Sequence, residues 1–164
     1  MNQENKKAFT LIEMVVAVFI IIIAVVGIIE MTSKYVQRTK FEKESYVAAL
    51  LGQEGVEIVK NIRDTNWVAG NAWDTGLTSC GSGCQADYTS SLSAYDGSYL
   101  YIENTTKLYK YIASPVAGDI KTIYNRKITI DTGTTNILKV KVEVLWRENT
   151  NTITIMEDVY NWKP

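Results

Sequence analysis

Residues 9–29 read FTLIEMVVAVFIIIIAVVGII and contain one charged side chain, that of Glu13. This long apolar stretch decides the fold of the 164-residue chain. A helix of this length spans about 30 Å, the thickness of the hydrocarbon core of a bilayer. A secretory signal peptide is the alternative, but its apolar region is roughly 7–15 residues long and ends at a small-residue cleavage site. The sequence that follows, EMTSKYVQRTKFEKES, contains no such site. The stretch therefore predicts a retained membrane helix.

Glu13 is the unusual residue of this segment. A carboxylate inside a membrane helix costs roughly 2.5–3.5 kcal/mol on insertion scales, so it normally has a partner and a function. One interpretation places Glu13 shallow, at the membrane interface. The other is a pairing role that needs a positive group, and the segment contains no Lys or Arg. A new N-terminal amine, made by cleavage just before Phe9, would supply one.

The sequence AFTLIEMVVAV, residues 8–18, resembles the signature of the type IV pilins and the type II secretion pseudopilins. Members of that family carry a short basic leader, a cleavage site, Phe-Thr-Leu-Ile-Glu and an apolar helix. The resemblance implies that a prepilin peptidase cuts between Ala8 and Phe9 and then N-methylates Phe9. It also implies that Glu13 pairs with the N-terminal amine of a neighbouring subunit during assembly. The chain departs from the family in one respect, since Ala8 stands where the family usually has Gly.

The same resemblance implies a location and a set of partners. The helix would lie in the bacterial inner membrane with its N-terminus in the cytoplasm, and the rest of the chain would be extracytoplasmic. The partners would be other pilin or pseudopilin subunits, the prepilin peptidase, an inner-membrane assembly platform, and membrane lipid before assembly. Basic residues do not decide the orientation, because they flank the segment on both sides. They are Lys6 and Lys7 before it, and Lys34, Arg38 and Lys40 after it.

Residues 30–66 continue a helical pattern with six basic and six acidic side chains. Gly52 and Gly55 weaken a helix, so they suggest close approach of another element, with simple tolerance of glycine as the alternative. Glu54 and Glu57 are predicted to be solvated. One face repeats at intervals of three or four residues, which predicts a single buried stripe. Its members are Val47, Leu51, Gly55, Ile58 and Ile62.

Residues 67–98 are rich in Gly, Ser, Thr, Asn and Asp, which predicts a loop with one short strand near residues 86–89. Cys80 and Cys84 are the chain's two cysteines. A disulfide is the preferred interpretation, because the outside of a membrane is oxidising and Gly-Ser-Gly between them permits a tight turn. Free thiols and a metal site are the alternatives. A metal site would need two further ligands, and the chain has no histidine.

The remaining sequence predicts β-strands. The clearest is residues 137–147, where one side carries apolar residues and the other carries charged ones. The connections of the last strands are too short for crossovers, which predicts an antiparallel meander. The apolar members are Leu138, Val140, Val142, Val144 and Trp146, and the other strands are expected at residues 99–103, 108–112, 122–131 and from residue 153 to about 162.

The sheet has one apolar face, and the helix has one apolar stripe. Both are buried if the helix docks on the inner face of the sheet. The sequence therefore predicts an α+β, pilin-like fold in which a long N-terminal helix packs by its second half on an antiparallel sheet. The expected organisation is a leader, a membrane or filament-core helix, an amphipathic extension, and a globular domain. The corresponding residues are 1–8, 9–29, 30–66 and 67–164, with the loop at 67–98 and the sheet at 99–162.

Two classes of function follow. The first is a structural subunit of a type IV pilus-like filament or a secretion pseudopilus, in which the chain length favours a minor pilin. The second is a membrane-anchored extracytoplasmic binding or adhesion domain that does not polymerise. An enzyme is not expected, because the chain lacks histidine and has no nucleophile motif, and no cofactor is predicted. Nucleic-acid binding has little support at a net charge of −1. Basic residues predicted to face solvent are Arg126, Lys127, Lys139 and Lys141.

Overall fold

The structure is a computed structural model that describes residues 10–89 and 92–162. The chain divides into two compact units, residues 1–43 and residues 44–164. The first unit is helical from Leu11 onward, and the second contains the end of the same helix and two sheets. This arrangement of helix and antiparallel sheets confirms the predicted α+β class.

The helix α1 runs over Leu11–Ala69, so it ends three residues beyond the predicted limit at residue 66. Its end is set by Gly70, whose φ of +74° lies in the left-handed region that favours glycine. The Gly70 N–H donates to the Trp67 carbonyl over 3.2 Å, and the Asn71 N–H donates to the Asn66 carbonyl over 2.9 Å. This pair of bonds is a Schellman motif, which satisfies carbonyls that the helix leaves unpaired.

The larger sheet has the order β2-β1-β6-β7-β8, with every neighbouring pair antiparallel. Its last three strands form the predicted meander, although β6 begins and ends later than the expected 122–131. Alternation along β7 is confirmed, since its five predicted inward residues are all buried. The strands are β1, Cys84–Gln85; β2, Ser93–Ala94; β6, Tyr124–Thr134; β7, Ile137–Trp146; and β8, Asn151–Tyr160.

The smaller sheet has the order β4-β3-β5 and is also antiparallel. Its strands are β3, Tyr101–Ile102; β4, Tyr109–Lys110; and β5, Ile120–Lys121. The hairpin predicted from residues 99–103 and 108–112 is confirmed, with shorter strands. Strand β5 was not predicted, because two residues are too few to establish a period of two.

The second half of α1 packs on the inner face of the larger sheet, as predicted. The stripe that contacts the sheet is displaced from the predicted one, because Val47, Ile58 and Ile62 are only partly buried. Its fully buried members are Ala48, Leu51, Gly52, Gly55, Val56 and Val59.

Gly52 and Gly55 lie where the helix comes closest to the sheet. A Cβ atom at Gly52 would lie 2.8 Å from Cδ1 of Ile155 on β8. One at Gly55 would lie 2.8 Å from Cγ1 of Val142 on β7. Real Cβ atoms essentially never approach a neighbour so closely, so the close approach predicted from these two glycines is confirmed.

Residues 67–98 contain more regular structure than predicted. A 3₁₀ helix covers Thr78–Cys80, and β1 joins the larger sheet between β2 and β6. The strand expected near residues 86–89 was wrong in position, because the residues that pair in the sheet are Cys84 and Gln85. Ala86 and Asp87 continue the buried segment beyond this strand without ladder pairing.

Candidate functional site

Glu13 lies in the first turn of α1, three residues after Thr10, which directly precedes the helix. The Glu13 N–H donates to Oγ1 of Thr10 over 3.3 Å. In return, Oε2 of Glu13 accepts from the Thr10 N–H over 3.4 Å and from its hydroxyl over 3.5 Å. Such reciprocal bonding between the N-cap and the third residue of a helix is a capping box. It satisfies backbone donors that a helix start otherwise leaves unpaired.

The capping box gives the Glu13 carboxylate donors within its own subunit. The N-terminal end of a helix also carries partial positive charge, which stabilises an acidic side chain in the first turn. Both interactions are compatible with the shallow position considered for Glu13 and with a pairing role in an assembly. The sequence carries the signal for this cap, since Thr10-Leu11-Ile12-Glu13 has the T-x-x-E spacing of a capping box.

The apolar side chains on both sides of Glu13 are exposed. The helix contains an 18-residue window that is long and apolar enough to cross a membrane, and none of that window is buried within the described chain. A helix that is apolar on all sides needs lipid or other helices around it. The exposed large apolar residues are Leu11, Ile12, Met14, Val15, Val16, Val18, Phe19, Ile20, Ile21, Ile22, Ile23, Val25, Val26, Ile28, Ile29 and Met31.

The predicted cleavage and methylation positions, Ala8 and Phe9, lie outside the described residues. Residues 4–29 match the family described as Prokaryotic N-terminal methylation motif. This segment is a prepilin-type motif. No curated protein matches the chain, and no solved structure matches it.

The methylation motif and the long apolar helix together fit a type IV pilin-like protein. The motif also supports a substrate of pilin or pseudopilin type for the prepilin peptidase, and it implies interaction with other pilin subunits in general. It includes Glu13 but ends at residue 29, so the sheet domain lies outside the matched segment. The chemistry of that domain has to be derived from its own residues.

Arg126 does not lie at the surface that its charge predicts. It was expected on a solvated surface with Lys127, but its side chain is completely buried. The physical reason is the alternation of β6, which puts Arg126 on the inner face together with Tyr124, Ile128 and Ile130. Arg126 therefore offers no charge to nucleic acid.

The buried guanidinium links three parts of the domain. Its Nη1 donates to the Leu51 carbonyl over 2.8 Å and to Oε2 of Glu54 over 3.1 Å, both on α1. Its Nη2 donates to the carbonyl of Ala86, just after β1. Glu54, which was expected to be solvated, is thus the counter-charge of Arg126, and about a third of its side chain is exposed. A buried charge needs such pairing because its desolvation is costly.

The Arg126 site also explains part of the need for glycine at residue 55. A Cβ atom there would lie 3.0 Å from Cδ of Arg126, in addition to its clash with Val142. On the opposite side, the Tyr111 hydroxyl donates to the Arg126 carbonyl over 3.0 Å. Burial raises the pKa of Tyr111 to about 12 from the ordinary 10.0, so its hydroxyl remains protonated, and a donor, into the alkaline range.

The other basic residues considered for nucleic acid do not form a basic patch. Lys141 is 3.1 Å from the Glu143 carboxylate, and Lys139 lies opposite Asp158 in the β7–β8 ladder. The ammonium of Lys127 lies 5.6 Å from the ring centroid of Tyr95. Positive and negative charges therefore alternate at these positions, and the electrostatic footprint of a nucleic-acid site is not present in them.

Cys80 and Cys84 form a disulfide, with their Cα atoms 5.2 Å apart. The bond joins the end of the 3₁₀ helix to the start of β1, and both cysteines are buried. Nearby, Oδ2 of Asp87 accepts from the Tyr111 N–H over 2.9 Å, which fastens the segment after β1 to the segment after β4. Within the described part of the chain, no group of three His, Cys, Asp or Glu side chains is arranged to hold a metal ion.

Proposed function

We propose that the chain is a structural subunit, a minor pilin or a pseudopilin, of a type IV pilus-like filament or a type II secretion pseudopilus. The single observation that carries this proposal is the prepilin-type methylation motif at residues 4–29. In this proposal, prepilin peptidase cleaves between Ala8 and Phe9 and methylates the new amine of Phe9. The segments 1–8, 9–29, 30–66 and 67–164 are then leader, anchor, helix extension and exposed domain.

The uncovered apolar residues of α1 support the proposal that this helix moves from membrane lipid into a filament. Before assembly the helix is solvated by inner-membrane lipid, with its N-terminus in the cytoplasm. During assembly by the membrane platform it leaves the lipid and packs against the helices of other subunits. Because the helix is apolar on all sides, both environments satisfy its side chains, and the exchange costs little hydrophobic free energy.

The position of Glu13 supports a role in selecting the register between subunits. In the single subunit its carboxylate is held by Thr10. In the filament, the methylated amine of a neighbouring subunit supplies a full positive charge, so its bond to the carboxylate adds a charge–charge attraction that the neutral donors of Thr10 do not provide. A subunit in a wrong register would bury the carboxylate without that amine, so only one stagger is stable.

The decisive test of processing is the mass of the mature N-terminus. The full chain is expressed in cells with and without a prepilin peptidase, and the N-terminal peptide is analysed by mass spectrometry. We expect loss of residues 1–8 and one added methyl group on Phe9 only when the peptidase is present. Ala8→Gly, which restores the family's usual residue, is expected to process at least as fast. An intact Met1 in peptidase-containing cells would contradict the proposal.

The test of assembly uses variants of Glu13. Glu13→Ala removes the charge and the cap, Glu13→Gln removes the charge but keeps a hydrogen-bond acceptor, and Glu30→Ala changes the next acid of the helix as a control. We expect sister subunits to be lost from cross-linked complexes in both Glu13 variants and retained in Glu30→Ala. Retention in Glu13→Ala would instead favour a membrane-anchored binding domain that does not polymerise.

The proposal includes a structural role for the disulfide and no catalytic role. Cys80–Cys84 closes a very short loop, so it constrains the unfolded chain only modestly. Protein isolated without reductant is expected to show no thiol reactive towards Ellman's reagent after unfolding, and two after reduction. The prepilin motif belongs to structural rather than catalytic proteins, and we propose no enzymatic activity and no cofactor for this chain.

A further inference from the structure

The sheet domain has a cavity of about 370 Å³ beside the smaller sheet. It is formed by β1, by the segment that leads into β3, by the segment after β4, and by β5. Ligand pockets in proteins usually have volumes of roughly 300–1,000 Å³, so this cavity is large enough for a small ligand. The residues used below are Gln85, Asp96, Tyr99, Tyr101, Tyr111 and Lys121, all of which line it.

Two tyrosines and a lysine come together on one face of the smaller sheet. Tyr99 and Tyr101 are two residues apart in an extended segment, so their side chains share a face. Lys121 lies directly opposite Tyr101 in the β3–β5 ladder, which puts it on the same face. Its ammonium lies 4.7 Å from the centroid of the Tyr99 ring, a cation–π contact.

The polar groups of this face are available for a ligand. Within the described residues, the hydroxyls of Tyr99 and Tyr101 have no hydrogen-bond partner, and Lys121 has no carboxylate at ion-pair distance. Tyr111 differs, because its hydroxyl is bonded to the Arg126 backbone inside the domain. Among the described residues, the fold therefore makes no hydrogen bond to these two phenolic hydroxyls, and the Lys121 ammonium is held only by its contact with the Tyr99 ring.

Asp96, which also lines the cavity, supplies an acceptor. Its Oδ1 accepts from the Ser98 N–H over 2.8 Å, and its own N–H donates to Oε1 of Gln85 over 3.4 Å. Hydrogen bonds from the Ser98 side chain and backbone hold the pKa of Asp96 below its usual range. Asp96 is therefore an anion at neutral pH, and its position is fixed by local bonds.

This combination of groups selects one ligand chemistry. Because Asp96 and Lys121 carry opposite charges, their attraction and repulsion largely offset for any singly charged ligand, and the cavity has no net preference for an anion or a cation. A neutral polyol satisfies both, since its hydroxyls donate to the carboxylate and accept from the ammonium and the phenols. The C–H face of a pyranose ring also packs well against a tyrosine ring. We propose that this cavity, lined by Asp96 and by the Tyr99–Tyr101–Lys121 face, binds a neutral hexose unit of a glycan.

The proposal does not depend on filament assembly, because every residue in it belongs to the sheet domain. A single hexose is expected to bind with a Kd on the order of 1 mM, as is usual for a small polar ligand with few contacts. If the chain is displayed in many copies, simultaneous binding of several sites would raise the overall affinity.

The test uses the full chain in micelles of a non-glycosidic detergent, so that the detergent itself does not compete for the cavity. The probes are methyl α-glucoside, methyl α-galactoside and methyl α-mannoside, with binding measured by saturation-transfer NMR. Asp96→Asn keeps an acceptor for Ser98 but removes the charge, and Tyr101→Phe removes only one hydroxyl. Tyr160→Phe is the matched control, because Tyr160 is exposed and does not line the cavity.

We expect at least one of the three glycosides to bind, and we expect each cavity variant to weaken that binding about tenfold, the usual effect of one lost hydrogen bond to a charged or buried group. Tyr160→Phe should bind like the unmodified chain. The proposal is overturned if none of the glycosides gives a signal at about 50 mM, well above the expected Kd. It is also overturned if both cavity variants remain folded and bind normally, or if methyl glucuronide binds more tightly than the neutral glycosides.

Discussion

Thr10 and Glu13 hold each other in place, with the Glu13 N–H 3.3 Å from Oγ1 of Thr10 and the Glu13 carboxylate 3.4 Å from the Thr10 nitrogen. The family resemblance assigns Glu13 a partner in another subunit, whereas the structure gives it one in its own. The two roles can follow one another in time. The cap keeps the helix start ordered in the single subunit, and in the proposed filament the amine of a neighbouring subunit would compete for the same carboxylate.

Thr10→Ala is expected to loosen the start of α1, because the N–H of Glu13 loses its acceptor. Loss of an N-cap costs about 1 kcal/mol, so the Glu13 amide should exchange its hydrogen roughly fivefold faster in the single subunit. Hydrogen exchange followed by NMR on the full chain in micelles measures this. Thr10→Ser preserves the hydroxyl and should exchange like the unmodified chain. Equal exchange in Thr10→Ala would show that the cap does not hold the helix start.

The buried Arg126 and its counter-charge Glu54 are expected to behave as a coupled pair. Glu54→Gln leaves a buried guanidinium without an anion and should lower the free energy of unfolding by about 3 kcal/mol. Arg126→Met removes the buried charge altogether, so adding Glu54→Gln to it should cost only about 0.5 kcal/mol more. Denaturant unfolding of the four proteins measures the coupling.

Glu148→Gln is the control for this cycle, because Glu148 is an exposed acid in the turn between β7 and β8, and it should leave the unfolding free energy unchanged. If Glu54→Gln were equally costly with and without Arg126, its effect would come from the helix alone. The charge pair would then have no part in holding α1 on the sheet.

Gly55→Ala is expected to destabilise the domain although alanine is the better helix former. The added methyl group would contact Val142 and Arg126, and overpacking of a core costs about 1–3 kcal/mol. This exceeds the gain in helix propensity of about 1 kcal/mol. Gly52→Ala should cost less, because its contact is with the flexible end of Ile155.

Gly27→Ala provides the comparison at an open position, since no side chain comes within 4 Å of a Cβ atom placed there. Unfolding of the sheet domain, followed by tryptophan fluorescence, should be unaffected by this change. A Gly55→Ala protein as stable as Gly27→Ala would mean that the helix can move away from β7 without loss.

Stability is expected to fall at alkaline pH because of two buried tyrosines. Burial raises the pKa of Tyr111 and of Tyr124 to about 12, from an ordinary value of 10.0. Because the folded-state pKa of each tyrosine lies above its unfolded-state pKa, its contribution to stability is fully present below pH 10 and is lost as the pH rises towards 12. Unfolding midpoints between pH 8 and 12, with tyrosinate absorbance recorded in parallel, test this.

Tyr111→Phe should be less stable than the unmodified chain at pH 8, since it loses the hydrogen bonds to the Arg126 backbone. It should also lose less stability between pH 10 and 12, so the two curves approach each other. Tyr160→Phe should run parallel to the unmodified chain throughout. Parallel curves for Tyr111→Phe would remove Tyr111 as a source of the alkaline transition.

Much of the fold could be predicted because long periodic segments leave little choice. Eleven residues of alternation at 137–147 are compatible with one half-buried strand, and a long stretch without proline is compatible with one helix. The two-residue strands β1 and β5 could not be predicted, since their pairing depends on the sheet that receives them. The buried stripe of the helix could not be predicted fully either. It is displaced from the predicted stripe because contact with the sheet decides which face of the helix is buried.

The candidate sites divide in the same way. The methylation motif was predictable because its residues are contiguous. The Thr10–Glu13 cap is also predictable, because its residues have the T-x-x-E spacing of a capping box. The predicted surface position of Arg126 is wrong because it follows from the charge alone, whereas the alternation of β6 puts residue 126 on the inner face. The cavity beside the smaller sheet joins residues 85 to 121, and no local pattern connects them.

The docking of α1 on the larger sheet has a consequence for biosynthesis. The helix face with Leu51, Val56 and Val59 is made early, whereas β6, β7 and β8 that cover it end only at Tyr160. From the moment the helix is complete until β8 has been synthesised, this face lacks its complete native cover, which is a state prone to aggregation. Stop codons that remove β8 should therefore deliver the nascent chain to chaperones or proteases rather than yield a shorter folded domain.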